Sequence, residues 1–257
     1  MSTQYIEIQR FYAKLEQMLR QEVKDCFPYD WHEDYITRRI MSEYRKKFKT
    51  IQMLDAFSTS LKIESSSYKL TGKNENKFGD IAFIVRIQYP DKYLEGVAFL
   101  EAKKIHQVEY SFDAIRDEQL KRIASNAPHS SLLMYDHRPI HQYFPFLTES
   151  IFSLLEQYTH TAVIPINLVN SINEKNEKLY RFSLPFSYQI IFRYLRGLDL
   201  EFSPEALKIA KGYNRQLGTP QYVVVISVAY GEVNNPDFQE VNNNIFISID
   251  SIDSIEF

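Results

Sequence analysis

The chain has 257 residues, 44% hydrophobic and 25% charged, enough to bury roughly 70–75% of the surface its unfolded form exposes. Mean hydropathy is −0.35 and no apolar run approaches the roughly 20 residues a membrane span needs, which excludes a helical membrane protein. Lys and Arg number 30 against 33 Asp and Glu, a net charge of −3 that excludes a protein coating nucleic acid indiscriminately.

Ile8, Phe11, Leu15, Met18, Leu19 and Val23 recur at spacings of three and four, which predicts an amphipathic helix over 4–26, ended by Phe27-Pro28. A second helix is expected from an N-cap near Asp30 to Phe48, with Ile36, Ile40 and Tyr44 on one face. Its other faces carry Arg38, Arg39, Arg45, Lys46, Lys47 and Lys49 against a single acid, Glu43. Read blandly this is a solvated face; read functionally it meets phosphates. Strands at 56–64, 79–89 and 96–104 form an expected meander, the last two flanking the turn Tyr89-Pro90-Asp91-Lys92, where Asp91 and Glu95 read as solvated.

A helix at 111–126 and a strand at 131–135 complete an α-β-β-β-α-β order. Beyond it come a helix at 147–158, strands at 161–169 and 179–184, helices at 186–197 and 204–215, and strands at 221–229 and 244–250. After Arg215 there is no Lys or Arg but six acids (Glu232, Asp237, Glu240, Asp250, Asp253, Glu256), so an anionic ligand is expected to meet the part before Arg215, whose net charge is +3. No stretch is rich enough in Gly, Pro or Ser to read as a flexible linker. Residues 1–29 read as an N-terminal helix, 30–136 as a core, and 137–257 as a C-terminal α/β extension packed on the same domain. With no leader-like N-terminus and Cys26 as its one cysteine, the chain is expected to be cytoplasmic and free of disulfides. Seven glycines, none in a phosphate-cradling arrangement, count against nucleotide folds.

Chemistry concentrates in Phe78-Gly79-Asp80-Ile81 and, 21 positions after Asp80, Glu101-Ala102-Lys103. Strand alternation projects Glu101 and Lys103 to one face, and a hairpin between the two strands brings Asp80 beside Glu101. Two carboxylates and an ammonium suit Mg²⁺, which takes oxygen ligands and commonly only one or two protein carboxylates, and with it phosphodiester hydrolysis. Read structurally, Asp80 caps a turn and Glu101 and Lys103 line a solvated edge.

These residues resemble the PD-(D/E)xK nuclease superfamily, the restriction-endonuclease-like fold, over about residues 30–136, with Gly79-Asp80 in place of the usual Pro-Asp. The resemblance implies Asp80, Glu101 and Glu33 as metal ligands for Mg²⁺ or Mn²⁺, Lys103 assisting the attacking water, and Gln119 positioning the site. It also implies DNA as substrate, in restriction or phage defence, with a homodimer or a helicase or ATPase partner compatible with it. Periodicity alone sets Glu33 in line with Ile36, Ile40 and Tyr44, and Gln119 four residues from both Ile115 and Ile123, facing both inward. Glu75, His32 and Lys104 are weaker candidates. His137 and His141 have helical metal spacing interrupted by Pro139, and Cys26 lacks a partner base. The rival expectations are a catalytically silent nuclease-fold subunit that binds nucleic acid, and an unrelated α/β scaffold making protein contacts through its acidic C-terminal part.

Overall fold

Two long helices open the chain in the computed structural model, which describes residues 3–54, 60–72, 77–112, 115–141, 158–214, 218–231 and 238–249. In α1 (Thr3–Asp25) the apolar stripe of Phe11, Leu15, Met18, Leu19 and Val23 is buried, and Lys24 complements the dipole in the last turn. In α2 (Glu33–Phe48) Ile36, Ile40 and Tyr44 are buried as their spacing predicts. Asp30 does not cap it. The Trp31 indole, buried and donating to the Ile105 carbonyl at 2.9 Å, ties down the chain just before His32, so the helix starts at Glu33 with two acids in its first turn.

The remaining elements are β1 (Thr50–Leu54), β2 (Ser60–Leu70), β3 (Ile81–Gln88), β4 (Tyr93–Lys104), α3 (Asp117–Asn126), β5 (Ser131–Ile140), β6 (Thr159–Pro165), α4 (Ile166–Ile172), β7 (Leu184–Pro185), α5 (Phe186–Tyr188, continuing as a π turn Gln189–Arg193 and a 3-10 turn Tyr194–Arg196), α6 (Pro204–Ala210), β8 (Tyr222–Tyr230) and β9 (Phe246–Ser248). Two expected strands change character. The apolar run of 161–169 divides into β6 and α4, because Ile166 and Val169 bury at helical spacing, and 177–182 is a 3-10 turn with Leu179 and Tyr180 inward. The helix expected at 147–158, Glu75 and the acids Glu232, Asp237, Asp250, Asp253 and Glu256 lie outside the described residues.

The fold is α/β, built on one mixed, mostly antiparallel sheet in the order β1-β2-β8-β3-β4-β5-β6-β7, with β9 also pairing β2. This corrects the expected meander. β2 and β3 are not neighbours; β8 lies between them, antiparallel to β2 and parallel to β3. The C-terminal segment is therefore central to the sheet rather than an extension laid upon it. Local alternation could reveal each strand but not this order, because β8 pairs across about 140 residues of chain.

The central strands are covered on both faces. Ile81, Phe83 and Val85, Leu100 and Ala102, and Tyr222, Val224 and Ile226 join a large core with α1 and α2. The alternate residues Ala82, Ile84, Val97, Phe99, Val223 and Val225 join a second core with Ile209 of α6 and Phe246 of β9. Glu95 belongs to this framework and is not solvated. It takes Arg86 Nε at 2.9 Å and Lys211 Nζ at 2.7 Å, and Arg86 further holds Glu240 and the Gln239 carbonyl, fastening the C-terminal segment to the β3–β4 hairpin. Among the described residues no helix is long and apolar enough to cross a membrane.

Ending the chain before Gly218 removes a strand from the middle of the sheet and is expected to abolish the cooperative unfolding transition in urea. Ile226→Ala, at a side chain with no exposed surface, should cost about 2–5 kcal/mol on the same measurement.

Candidate active site

The register of the β3–β4 hairpin pairs Ile81 with Leu100, so Asp80 and Glu101 stand opposite one another one step beyond it. By alternation both lie on the face of the second core, in the row Val97, Phe99, Glu101, Lys103. Gly79 makes the approach possible. Its φ is +100°, and a Cβ there would stand 2.6 Å from the Leu100 carbonyl oxygen. Proline, locked near −65°, cannot adopt that conformation, so this backbone could not carry proline before Asp80.

Asp80 is further fixed by its backbone. Its carbonyl accepts from Tyr222 N at 2.9 Å, its Oδ2 accepts from Ala102 N at 3.0 Å, and it shares a side-chain hydrogen bond with Glu101. Glu101 Oε1 accepts from Lys103 Nζ at 2.6 Å and from Gln119 Nε2 at 2.6 Å, leaving Oε2 outside these two bonds. Glu33 reaches the cluster from the start of α2: Oε2 lies 3.6 Å from Lys103 Nζ and Oε1 accepts from Lys104 N at 3.3 Å. All five expected site residues thus converge from β3, β4, α2 and α3. Glu101 and Lys103 are buried, which rules out the solvated edge.

The electrostatics follow from burial and like charge. Burial, and then the Asp80 charge, push the Glu101 carboxyl up to about 7. Burial also raises Asp80, against the pull of Lys103 and the Ala102 amide. Burial alone would lower Lys103, but the Glu101 and Glu33 charges outweigh it and hold the ammonium protonated. Both carboxyls are thus shifted toward the protonated form beside an ammonium that stays charged. Among the described residues no three His, Cys, Asp or Glu are grouped to hold a metal ion. The donor set at hand is the Asp80–Glu101 pair, with Glu33 engaged by Lys103 and the Lys104 amide. Two hard oxygen donors, one carrying a displaceable proton, fit Mg²⁺ or Mn²⁺.

Gln119 also borders an open cleft of 710 Å³ at α3, lined by the exposed Arg116 and Arg122 and by the exposed acids Asp117 and Glu118. Among the described residues neither guanidinium has an ion-pair partner. Sequence reading missed both, because one arginine just before a short helix and one within it carry no periodic signal. The basic face of α2 is less free than its composition implied. Arg39 is paired to the buried Glu22 at 2.7 Å, Arg45 donates to Ser248 Oγ at 3.0 Å, and Lys46 and Lys47 lie 3.2 and 3.5 Å from Glu43. Lys46, Lys47 and Lys49 remain exposed, and Arg38 is half-buried.

The weaker candidates separate cleanly. His32 and Asp91 are exposed, and Lys104 contributes its amide while its side chain falls on the opposite row. His137 stacks on Phe27 at 4.1 Å, with burial lowering its pKa. Cys26 is buried, donates to the Glu22 carbonyl, and has its thiol pushed up to about 11, first by burial, which makes it inert.

The raised Glu101 pKa has a stability consequence. Below the ordinary value of 4.5 both folded and unfolded chains hold the proton; above about 7 both have lost it, and the folded state bears the full cost. The metal-free protein should therefore lose stability between about pH 5 and 8, by an amount on the order of 3 kcal/mol. Glu101→Gln should flatten that part of the Tm–pH curve and raise Tm at pH 8; an unchanged slope would mean that Glu101 is already ionised at pH 5.

In comparisons with known proteins, no family model, no curated protein and no solved structure matches the chain.

Proposed function

We propose that the protein is a metal-dependent nuclease of the restriction-endonuclease-like kind that hydrolyses phosphodiester bonds of DNA. The observation that carries this reading is the Asp80–Glu101–Lys103 cluster, where the buried Glu101 and Lys103 meet a half-buried Asp80, with Glu33 and Gln119 half-buried beside them. Two adjacent carboxyls raised by burial and like charge oppose folding, and a divalent cation would relieve them.

Asp80 and Glu101 would hold Mg²⁺ or Mn²⁺, which when bound supplies an acidified water and polarises a phosphoryl oxygen. Lys103 keeps its proton, so it stabilises charge gathering on the phosphoryl group rather than removing a proton from water. Glu33 positions Lys103, and Gln119 fixes the orientation of Glu101. Arg116 and Arg122 lie where a strand entering by the Gln119 cleft would pass its phosphates. Lys46 and Lys47 stand 13 and 14 residues along α2 from Glu33, roughly 20 Å by the helical rise, and would meet phosphates away from the cut bond.

Plasmid and single-stranded DNA incubated with the purified protein should be cleaved in Mg²⁺ or Mn²⁺ and not in Ca²⁺, whose longer and looser coordination does not support the attack geometry. Asp80→Ala, Glu101→Ala and Lys103→Ala should each lower the rate by about a hundredfold or more, and Gln119→Ala by about tenfold. Full activity in any of the first three sinks the assignment. Metal-independent binding with no cleavage of DNA or RNA would instead identify a silent nuclease-fold subunit.

Duplex binding should weaken with salt. Reversing Lys46, Lys47 and Lys49 together should reduce the slope of log K against log salt by up to about 2.7, at about 0.9 per phosphate contact, without changing sequence preference. A constant slope would place the backbone contacts on α3 alone.

A further inference from the structure

The row that carries Glu101 and Lys103 continues backwards into a cavity. Val97 and Phe99, four and two residues before Glu101 on the same face of β4, line a pocket of 290 Å³ together with Phe78, which lies two residues before Asp80. Two residues of strand amount to roughly 7 Å, so the cavity floor and the carboxyl pair are neighbours. The floor is aromatic: the Phe78 and Phe99 rings meet at 5.3 Å between centroids, tilted by 44°. Ala206 of α6 forms part of the wall.

Polar residues line the other side: Ser125, Asn126, His129, Ser130, Glu201, Ser203 and Glu205. Glu201 is bound to β4 through both of its backbone groups, Val97 N to its carbonyl and its own N to the Val97 carbonyl, so its side chain stands at a set height above the strand. Its Oε1 accepts from Ser203 N at 2.9 Å, and its Oε2 lies 3.9 Å from His129 Nε2. Ser130 lines the same cavity, is 1% exposed, and its Oγ has no hydrogen-bond partner among the described residues. A buried hydroxyl left unmet is destabilising, and a ligand edge would supply the partner that the fold does not. Among the described residues no Lys or Arg lines the cavity, while Glu201 and Glu205 do, which disfavours a phosphate or a carboxylate as its occupant.

We propose that this cavity takes up one amino-bearing nucleobase, adenine, cytosine or guanine, swung out of the nucleic acid whose backbone lies at Asp80 and Glu101. The inference rests on the nuclease reading above. The flat apolar faces of the base lie against Phe78 and Phe99, its exocyclic amine donates to Glu201, and a ring edge meets Ser130 Oγ. Thymine and uracil, with carbonyls in place of the amine, would face the carboxylate with an acceptor and are disfavoured.

The test uses the full chain in EDTA, so that nothing is cleaved, with adenosine, cytidine and thymidine as free probes and dA12, dC12 and dT12 as strands. Adenosine and cytidine should bind about tenfold more tightly than thymidine, and the two amino-bearing strands should exceed dT12 by a similar ratio. Glu201→Gln, which keeps the acceptor for Ser203 N and the backbone pairing with Val97, should bring those ratios close to one. Ala206→Leu, which fills the cavity, should abolish nucleoside binding while dT12 still binds through its phosphates, and Tm of each variant checks that the fold is retained. Equal binding of all three nucleosides, or discrimination that survives Glu201→Gln, overturns the proposal. Discrimination among nucleosides without discrimination among strands also overturns it, since the pocket would then serve a free nucleoside. Its failure is separable from that of the nuclease reading, because cleavage in Mg²⁺ is scored independently: discrimination by a protein that cuts nothing sinks the nuclease and leaves the pocket.

Discussion

The pairing of β8 with β3 is the constraint on which the rest of the molecule depends. Parallel strands cannot be joined by a tight turn, so the chain must finish β4, α3, β5, β6 and the helical segments before Tyr222 can return alongside Ile81. That return determines more than the sheet. Tyr222 N binds the Asp80 carbonyl, and the Tyr222 hydroxyl and Gln221 amide both reach Asp34 in the first turn of α2. The start of β8 therefore fixes one carboxylate of the site directly and the helix bearing Glu33 at one remove. Arg86 and Lys211, meeting at Glu95, hold the following segment against the same hairpin.

Glu16 and the Asp80–Glu101 pair show opposite solutions to the cost of taking a carboxylate out of water. Glu16, in the middle of α1, has no exposed surface, and burial raises its pKa; Arg20 at 3.0 Å and the Ser187 hydroxyl satisfy it within closed packing. Such a pair ties α1 to α5 and leaves nothing for a ligand. Asp80 and Glu101 instead face one another, with one ammonium between three acids, so the cluster keeps excess negative charge, and Asp80, Glu33 and Gln119 stay only half-buried. The cost of that arrangement is carried by the surrounding sheet, whose central strands are covered on both faces.

The same alternation that aligns the charged row also aligns an apolar one. Val97, Phe99, Glu101 and Lys103 pass from the floor of a pocket to the centre of a charge cluster within four positions of one face of β4. A strand with this sequence cannot be slipped by one residue without exchanging both features for Ala98, Leu100 and Ala102, which belong to the larger core. Hairpin register, core packing and site geometry are one constraint here.

Much of this was legible locally. The helical stripes of α1 and α2, the β3–β4 hairpin, the Asp80–Glu101–Lys103 convergence and the inward turn of Glu33 and Gln119 all follow from periods of 3.6 and 2 and from one tight turn, and periodicity is a property of neighbours in sequence. Only the tertiary structure decided what depends on distant residues. The insertion of β8 between β2 and β3, the diversion of Arg39 to Glu22 and of Glu95 to Arg86 and Lys211, and the pocket closed over Phe99 by Glu201 and Ala206 each join segments whose separation leaves no periodic trace. The sequence determined which residues could carry charge to one face of a strand. Long-range pairing determined which of those charges hold the fold and which are gathered at the Asp80–Glu101–Lys103 cluster.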